Sequence, residues 1–135
     1  MSDKKPINPD SLCPPVGFAH GWLVESPPAR TLYLAGQCGY DAAGKITHPG
    51  DLVAQFDKAL ENLGLVLGEA DMGFSDVVQL NLYVCSRDDY TAARREFGVV
   101  WKRHCGGHYP AMAMFVVVGL FDPEALIEIQ GVAAG

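Results

Sequence analysis

The hydrophobic period of the chain switches at Asp51 from two to 3.6, and that switch sets the class of fold. Before it, Gly21-Trp22-Leu23-Val24-Glu25 reads as a short strand closed by Ser26-Pro27-Pro28. Thr31 to Cys38 is a second strand, with Leu32 and Leu34 on one face and Tyr33 and Ala35 on the other. Asp41-Ala42-Ala43-Gly44 is a turn, since glycine tolerates positive φ and aspartate bonds its own backbone. After the switch, Leu52, Phe56, Ala59, Leu60, Leu63, Val66, Leu67 and Ala70 form one helical stripe, with Gln55, Lys58, Glu61 and Glu69 off it. Asp51 suits the positive end of that helix, and Gly73 its stop. Alternation returns from Asp76 to Cys85. Ser86-Arg87-Asp88-Asp89 has the form of a capping box and opens a second helix, with a stripe of Tyr90, Ala93, Phe97, Val100, Trp101 and His104. Gly106-Gly107 stops it, Ala111 to Leu120 is apolar on both faces, and Leu126 to Ala133 is the last strand. The first fifteen residues, with Pro6, Pro9, Pro14 and Pro15, read as an extended arm.

The resulting order, β-β-α-β-α-β-β, predicts an α+β domain with a mostly antiparallel sheet and two helices on one face. At 135 residues the chain is one domain, spanning 1–135 with the arm at 1–15, and no internal repeat divides it. The other sheet face has no cover of its own, yet Met112, Met114, Val116 and Val118 lie opposite Ala113, Phe115 and Val117. An uncovered apolar face implies a partner surface, most simply a second copy of the chain.

Charge and cysteine content narrow the classes of function. A net charge of −6 has the wrong sign for gripping a phosphate backbone, so nucleic acid is not an expected partner. No segment approaches the ~20 apolar residues of a membrane span, so no membrane partner is expected. Met1 to Pro6 holds two lysines without an apolar core behind them, which is not the pattern of a signal peptide. Cys13, Cys38, Cys85 and Cys105 make no C-x-x-C pair and are expected to be reduced thiols of a cytoplasmic protein. His104-Cys105-Gly106-Gly107-His108 gathers potential metal ligands, but no second pair at suitable spacing completes a site, so no metal and no cofactor are expected. Gly36, Gly39 and Gly44 are not followed by the lysine or helix start that a phosphate loop requires.

From about Val16 to Ala133 the chain resembles the Rid (YjgF) family, named for reactive intermediate deaminases. The resemblance is carried by Leu34-Ala35-Gly36-Gln37, by Gln55 with Asn62-Leu63, and by Asp76-Val77-Val78. It continues through Asp89-Tyr90, Tyr109-Pro110-Ala111 and Ile127-Glu128-Ile129. It implies a chorismate-mutase-like protomer and a homotrimer with clefts between neighbouring copies. It also implies hydrolysis of 2-imino acids or their enamine tautomers to 2-oxo acids and ammonia. That chemistry asks for a cation to hold the substrate carboxylate and a protein carboxylate to move a proton.

Against the family pattern this chain departs at several points. Met112 stands where the best-known members have an arginine after Pro-Ala. Gln130 matches the family's glutamate on the last strand, Ala35 its serine, and Phe18 its tyrosine after the arm. Arg94 stands where an asparagine is common. Phe18, Ala35, Met112 and Met114 then read either as an apolar pocket for a ligand without a carboxylate or as packing in a decayed site. Glu128 and Gln130 share a strand face. Gln130 is read as an orienting group and Glu128 either as a surviving acid/base or as a solvent-facing or inter-chain residue. Arg94 is either a relocated anchor or a solvated helix charge beside Arg95, the second being the plainer reading. Cys38 lies nearest the expected cleft but lacks a neighbour that would activate it, and His20 is read as a structural histidine beside Phe18.

Two functions follow. The first is a Rid-like trimer that hydrolyses a small enamine or imine other than a simple 2-imino acid. The second is a trimer that binds a metabolite without turning it over, for sensing or regulation. A working proton-transfer group favours the first.

Overall fold

In a computed structural model, which describes residues 3–135, strand β1 (Asp3–Ile7) pairs antiparallel with β2 (Gly21–Ser26), and β2 with β3 (Ala29–Gln37). Helix α1 (Leu52–Glu69) follows, then a short 3-10 turn, strand β4 (Val77–Val84) and helices α2 (Arg87–Ala92) and α3 (Arg94–Cys105). Strands β5 (Ala111–Val116) and β6 (Ile127–Ala134) close the chain. The sheet order is β1-β2-β3-β6-β4-β5. Only the β4–β5 pair is parallel, which the intervening helices make possible. Among the described residues no helix is long and apolar enough to cross a membrane.

The stripe on α1 buries Phe56, Ala59, Leu60, Leu63, Val66 and Leu67 against Leu32 and Leu34 of β3 and Ile127, Ile129 and Ala133 of β6. Phe56 stacks on Phe97 of α3 with ring centroids 4.2 Å apart. Asp57 on α1 meets His104 and Arg103 of α3 at 2.6 and 2.9 Å, latching the two helices together. Asp51 accepts from the Ala54 amide as the N-cap of α1, and the Ser86 hydroxyl accepts from the Asp89 amide as the N-cap of α2.

Four features differ from the sequence reading. The arm is not wholly separate from the sheet, because its Asp3–Ile7 segment is an edge strand (Met1 and Ser2 lie outside the described residues). Four of those five residues are exposed, so no alternation betrays the strand. The second helix is broken at Ala93, whose φ of −100° and ψ of 6° leave the helical region between α2 and α3. The doubly apolar strand stops at Val116 instead of Leu120.

The fourth difference is Gln55, which is fully buried although it lies off the apolar stripe. Its amide donates to the His48 and Glu124 carbonyls at 2.9 and 3.1 Å, and its oxygen accepts from the Leu126 amide at 2.8 Å. These bonds satisfy backbone groups of the loops before α1 and before β6, which is why a polar residue is retained there. Gln55→Ala should lower the unfolding free energy by about 2–4 kcal/mol, because a fully buried amide and its three hydrogen bonds to partly buried backbone groups are lost. Lys58→Ala, which removes one partly exposed ion pair, should cost less than about 1 kcal/mol. Urea denaturation of the two variants checks the contrast.

Candidate functional site

The alternation of β3 is interrupted between Leu34 and Gln37, which pair with Gly131 and Ile129 of β6. Ala35 and Gly36 therefore both stand opposite Gln130, a bulge that turns the strand end toward the sheet face away from the helices. Gly36 is required by close approach. A Cβ at this position would lie 2.6 Å from Glu128 Oε2. The missing side chain makes room for the Glu128 carboxylate beside the strand.

Glu128 lines a cavity of about 740 Å³ together with Phe18, Ala35, Gly36, Tyr40 and Phe121. Asp41 and Asp122 add two further carboxylates, and neither Lys nor Arg is in the wall. The loop after β3 is held by Asn62 of α1, whose amide donates to the Cys38 and Tyr40 carbonyls at 3.0 and 2.9 Å. The Cys38 thiol lies 3.5 Å from Glu128 Oε1 and donates to it. Burial, then the charge and hydrogen bond of Glu128, push the Cys38 thiol well above the usual thiol range. Burial likewise pushes the Tyr40 phenol up to about 12, with Cys38, Asp122 and Glu128 adding to the effect.

His20 also lines the cavity, but both of its nitrogens are engaged. Nε2 lies 2.8 Å from the Cys13 carbonyl, which only accepts, so Nε2 carries the hydrogen. Nδ1 is then free to accept from the Gln37 amide at 3.1 Å. This is a structural histidine, and Phe18 packs edge-on against it at 5.2 Å.

The remaining sequence candidates lie elsewhere. Gln130 is not in the cavity wall; its amide oxygen accepts from the Tyr83 hydroxyl across the β4–β6 pair. Of the two β6 candidates, the Glu128 carboxylate lines the cavity and the Gln130 amide is held by Tyr83. Gly36, in the β3 bulge, leaves the room that the Glu128 carboxylate occupies. Met114, Arg94, Arg87, Tyr90, Thr91 and Phe115 line a second cavity of about 550 Å³, between α2, the start of α3 and the edge strand β5. Met112 is half-exposed on the same strand, outside both walls. His104 is bound to Asp57, Cys105 is buried, and His108 lies 2.7 Å from the Val77 carbonyl, so these three point to different partners. Sequence reasoning missed Tyr40, Asp41, Phe121 and Asp122. All four are in loops whose approach to the cavity depends on the buried amides of Gln55 and Asn62.

Comparison with known proteins agrees with this fold. The family model described as Endoribonuclease L-PSP matches residues 20–135. A goat (Capra hircus) protein named 2-iminobutanoate/2-iminopropanoate deaminase is 31% identical over 104 residues, 77% of this chain and 72% of that protein. The Drosophila melanogaster RutC family protein UK114 is 35% identical over the same length and coverage. Among solved structures, the conserved Rid family protein YyfA from Yersinia pestis superposes with a TM-score of 0.81 at 19% identity, covering 98% of this chain and 100% of that one. With a family model spanning nearly every element and relatives matching over most of its length, this chain belongs to the endoribonuclease L-PSP family, the Rid (YjgF) family that its motifs resemble.

Proposed function

We propose that the protein is a homotrimeric hydrolase of a small imine or enamine, acting in clefts between neighbouring copies. The observation that carries this reading is the Glu128 carboxylate, presented to a cavity beneath a glycine that leaves it room. The goat relative, named for hydrolysis of imino acids, supports the reaction class. Water adds to the C=N carbon while Glu128 takes a proton from it. The proton passes to nitrogen to give a carbinolamine; Glu128 then takes the hydroxyl proton and returns it to nitrogen as the C=O bond forms and the C–N bond breaks, releasing a carbonyl compound and ammonia. Cys38 stays a thiol throughout, so it donates to Glu128 and is not the nucleophile.

Two observations support assembly of copies. Trp22, Tyr33 and Phe115 are about half exposed on the face away from the helices, and the edge strand β5 has apolar side chains open on both sides. Further, the two cavities of one protomer carry opposite charge, three carboxylates in one and two guanidiniums in the other. Self-complementary charge of this kind suits a head-to-tail ring. The acidic cavity and the net charge of −6 also argue against RNA as substrate, despite the family model's description.

Three outcomes are expected. Sedimentation equilibrium should give three times the 14.5 kDa chain mass, and Trp22→Glu should shift the population toward monomer. Hydrolysis of 2-iminopropanoate should run at least about tenfold below that of an arginine-bearing family member, because Met112 offers no charge-assisted bond. On whichever imine is turned over, Glu128→Gln should lower kcat by about a hundredfold or more, read by a coupled ammonia assay. Unchanged turnover in Glu128→Gln would remove Glu128 from the chemistry, and tight binding of an imine with no turnover by the unaltered protein would favour the non-catalytic binder.

The raised Cys38 value has a consequence for stability. The folded thiol keeps its proton where the unfolded one, near 9.0, begins to lose it. The unfolded state then binds fewer protons, so stability is intact below pH 9 and falls as pH rises above about that value. Melting temperature measured from pH 7 to 10.5 should show this decline, and Cys38→Val should make it shallower.

A further inference from the structure

The groove between α2, the start of α3 and β5 has a chemistry that the proposed hydrolysis does not by itself use. Arg87 and Arg94 both line it, at either side of the break at Ala93. Among the described residues, neither guanidinium makes an ion pair, and no Asp or Glu is in the groove wall. Tyr90 and Thr91 add hydroxyl groups, while Met114, Phe115 and Val116 form an apolar floor. Two unpaired guanidiniums over an apolar floor favour an amphipathic anion, because a guanidinium bonds a carboxylate or phosphate in two places at once.

We infer that this groove is the anion-anchoring end of the substrate site, with Arg94 as its principal contact, and that the substrate carries its anionic group well away from the C=N bond. The inference rests on the proposed cleft between copies, which brings the groove of one protomer to the Glu128 cavity of the next. Within one protomer the two walls share no residue, so an anion at Arg94 and a carbon attacked near Glu128 belong to different ends of a ligand. Volume points the same way. The cavity of about 740 Å³ is in the range that holds ligands of drug size, and a molecule as small as pyruvate leaves most of it empty. Charge agrees too. A carboxylate adjacent to the reacting carbon would lie among Asp41, Asp122 and Glu128, whereas a remote one escapes them.

Calorimetric titration of the full-length protein with three carbonyl compounds tests this. 5-Oxohexanoate holds its carboxylate far from the carbonyl, pyruvate holds it adjacent, and 2-hexanone lacks it. 5-Oxohexanoate is expected to bind at least about tenfold tighter than either of the others. Arg94→Ala should remove that advantage and leave 2-hexanone binding unchanged, a pattern that a purely structural role would not give. Arg95→Ala, an exposed neighbour outside the groove, should keep the advantage. Tightest binding of pyruvate, or equal loss of all three ligands in Arg94→Ala, overturns the inference. If Glu128→Gln abolishes imine turnover while Arg94→Ala changes no affinity, the inference falls and the proposed hydrolysis stands. If no probe binds and Glu128→Gln has no effect on turnover, both fall.

Discussion

Two buried amides on α1, Gln55 and Asn62, tie the helix to the loops that build the acidic cavity. An amide inside a core must find partners for both its donors and its oxygen, or it costs more than the apolar residue it replaces. Gln55 finds them in the His48 and Glu124 carbonyls and the Leu126 amide, and Asn62 finds the Cys38 and Tyr40 carbonyls. Each bond fixes a backbone group in one of the two loops that contribute residues to the cavity wall. The helix that closes the core thus also sets where Tyr40, Asp122 and the start of β6 come to rest. Loops held only by their own turns would move on the timescale of free loops.

The same residues explain what could be read in the sequence and what could not. Elements were legible wherever the period was clear: β2, β3, β4 and α1, as well as the Ser86 cap and the Gly106 stop, follow from side-chain pattern and cap chemistry. The strand β1 was not legible, because an edge strand exposed at four of five positions has no alternation to see. Gln55 looked like a surface residue because hydropathy scores an amide by type, whereas its place depends on which carbonyls lie above the helix. Likewise Glu128 and Gln130 are equivalent to any pattern of period two. What separates them is the bulge in the neighbouring strand, a long-range feature set by pairing with β6. The residues grouped by the family resemblance do not all meet in one protomer: Phe18 and Ala35 line the acidic cavity, Met114 the groove beside β5, and Met112 neither.

Gly36 shows how narrow that decision is. Any side chain there would press on the Glu128 carboxylate, at 2.6 Å from Oε2 for a Cβ alone. The carboxylate would have to turn away, toward the sheet face that Tyr83 and Gln130 already fill. A two-residue bulge with a glycine within it thus leaves the Glu128 carboxylate its place in the cavity wall. Cys38 completes the arrangement from the opposite side, as a thiol that burial keeps protonated and that donates to the same carboxylate. The carboxylate is held between a gap and a donor, an environment that orients it without neutralising it through a cation.

The absence of a cation from that cavity wall has a structural counterpart across the sheet. Among the described residues, the guanidiniums of Arg87 and Arg94 beside β5 make no ion pair, and no carboxylate lines their groove. Within one protomer this leaves an acidic cavity and a basic groove, each electrostatically incomplete. In a two-fold pair the groove of each copy can meet the cavity of the other, so both contacts form at once about the axis. A cyclic head-to-tail arrangement likewise sets each basic groove against the next copy's acidic cavity, and closes after a fixed number of copies. The charge pattern thus favours contact between unlike faces of neighbouring copies, and the apolar surfaces of Trp22, Tyr33 and Phe115 would supply the non-directional part of such a contact.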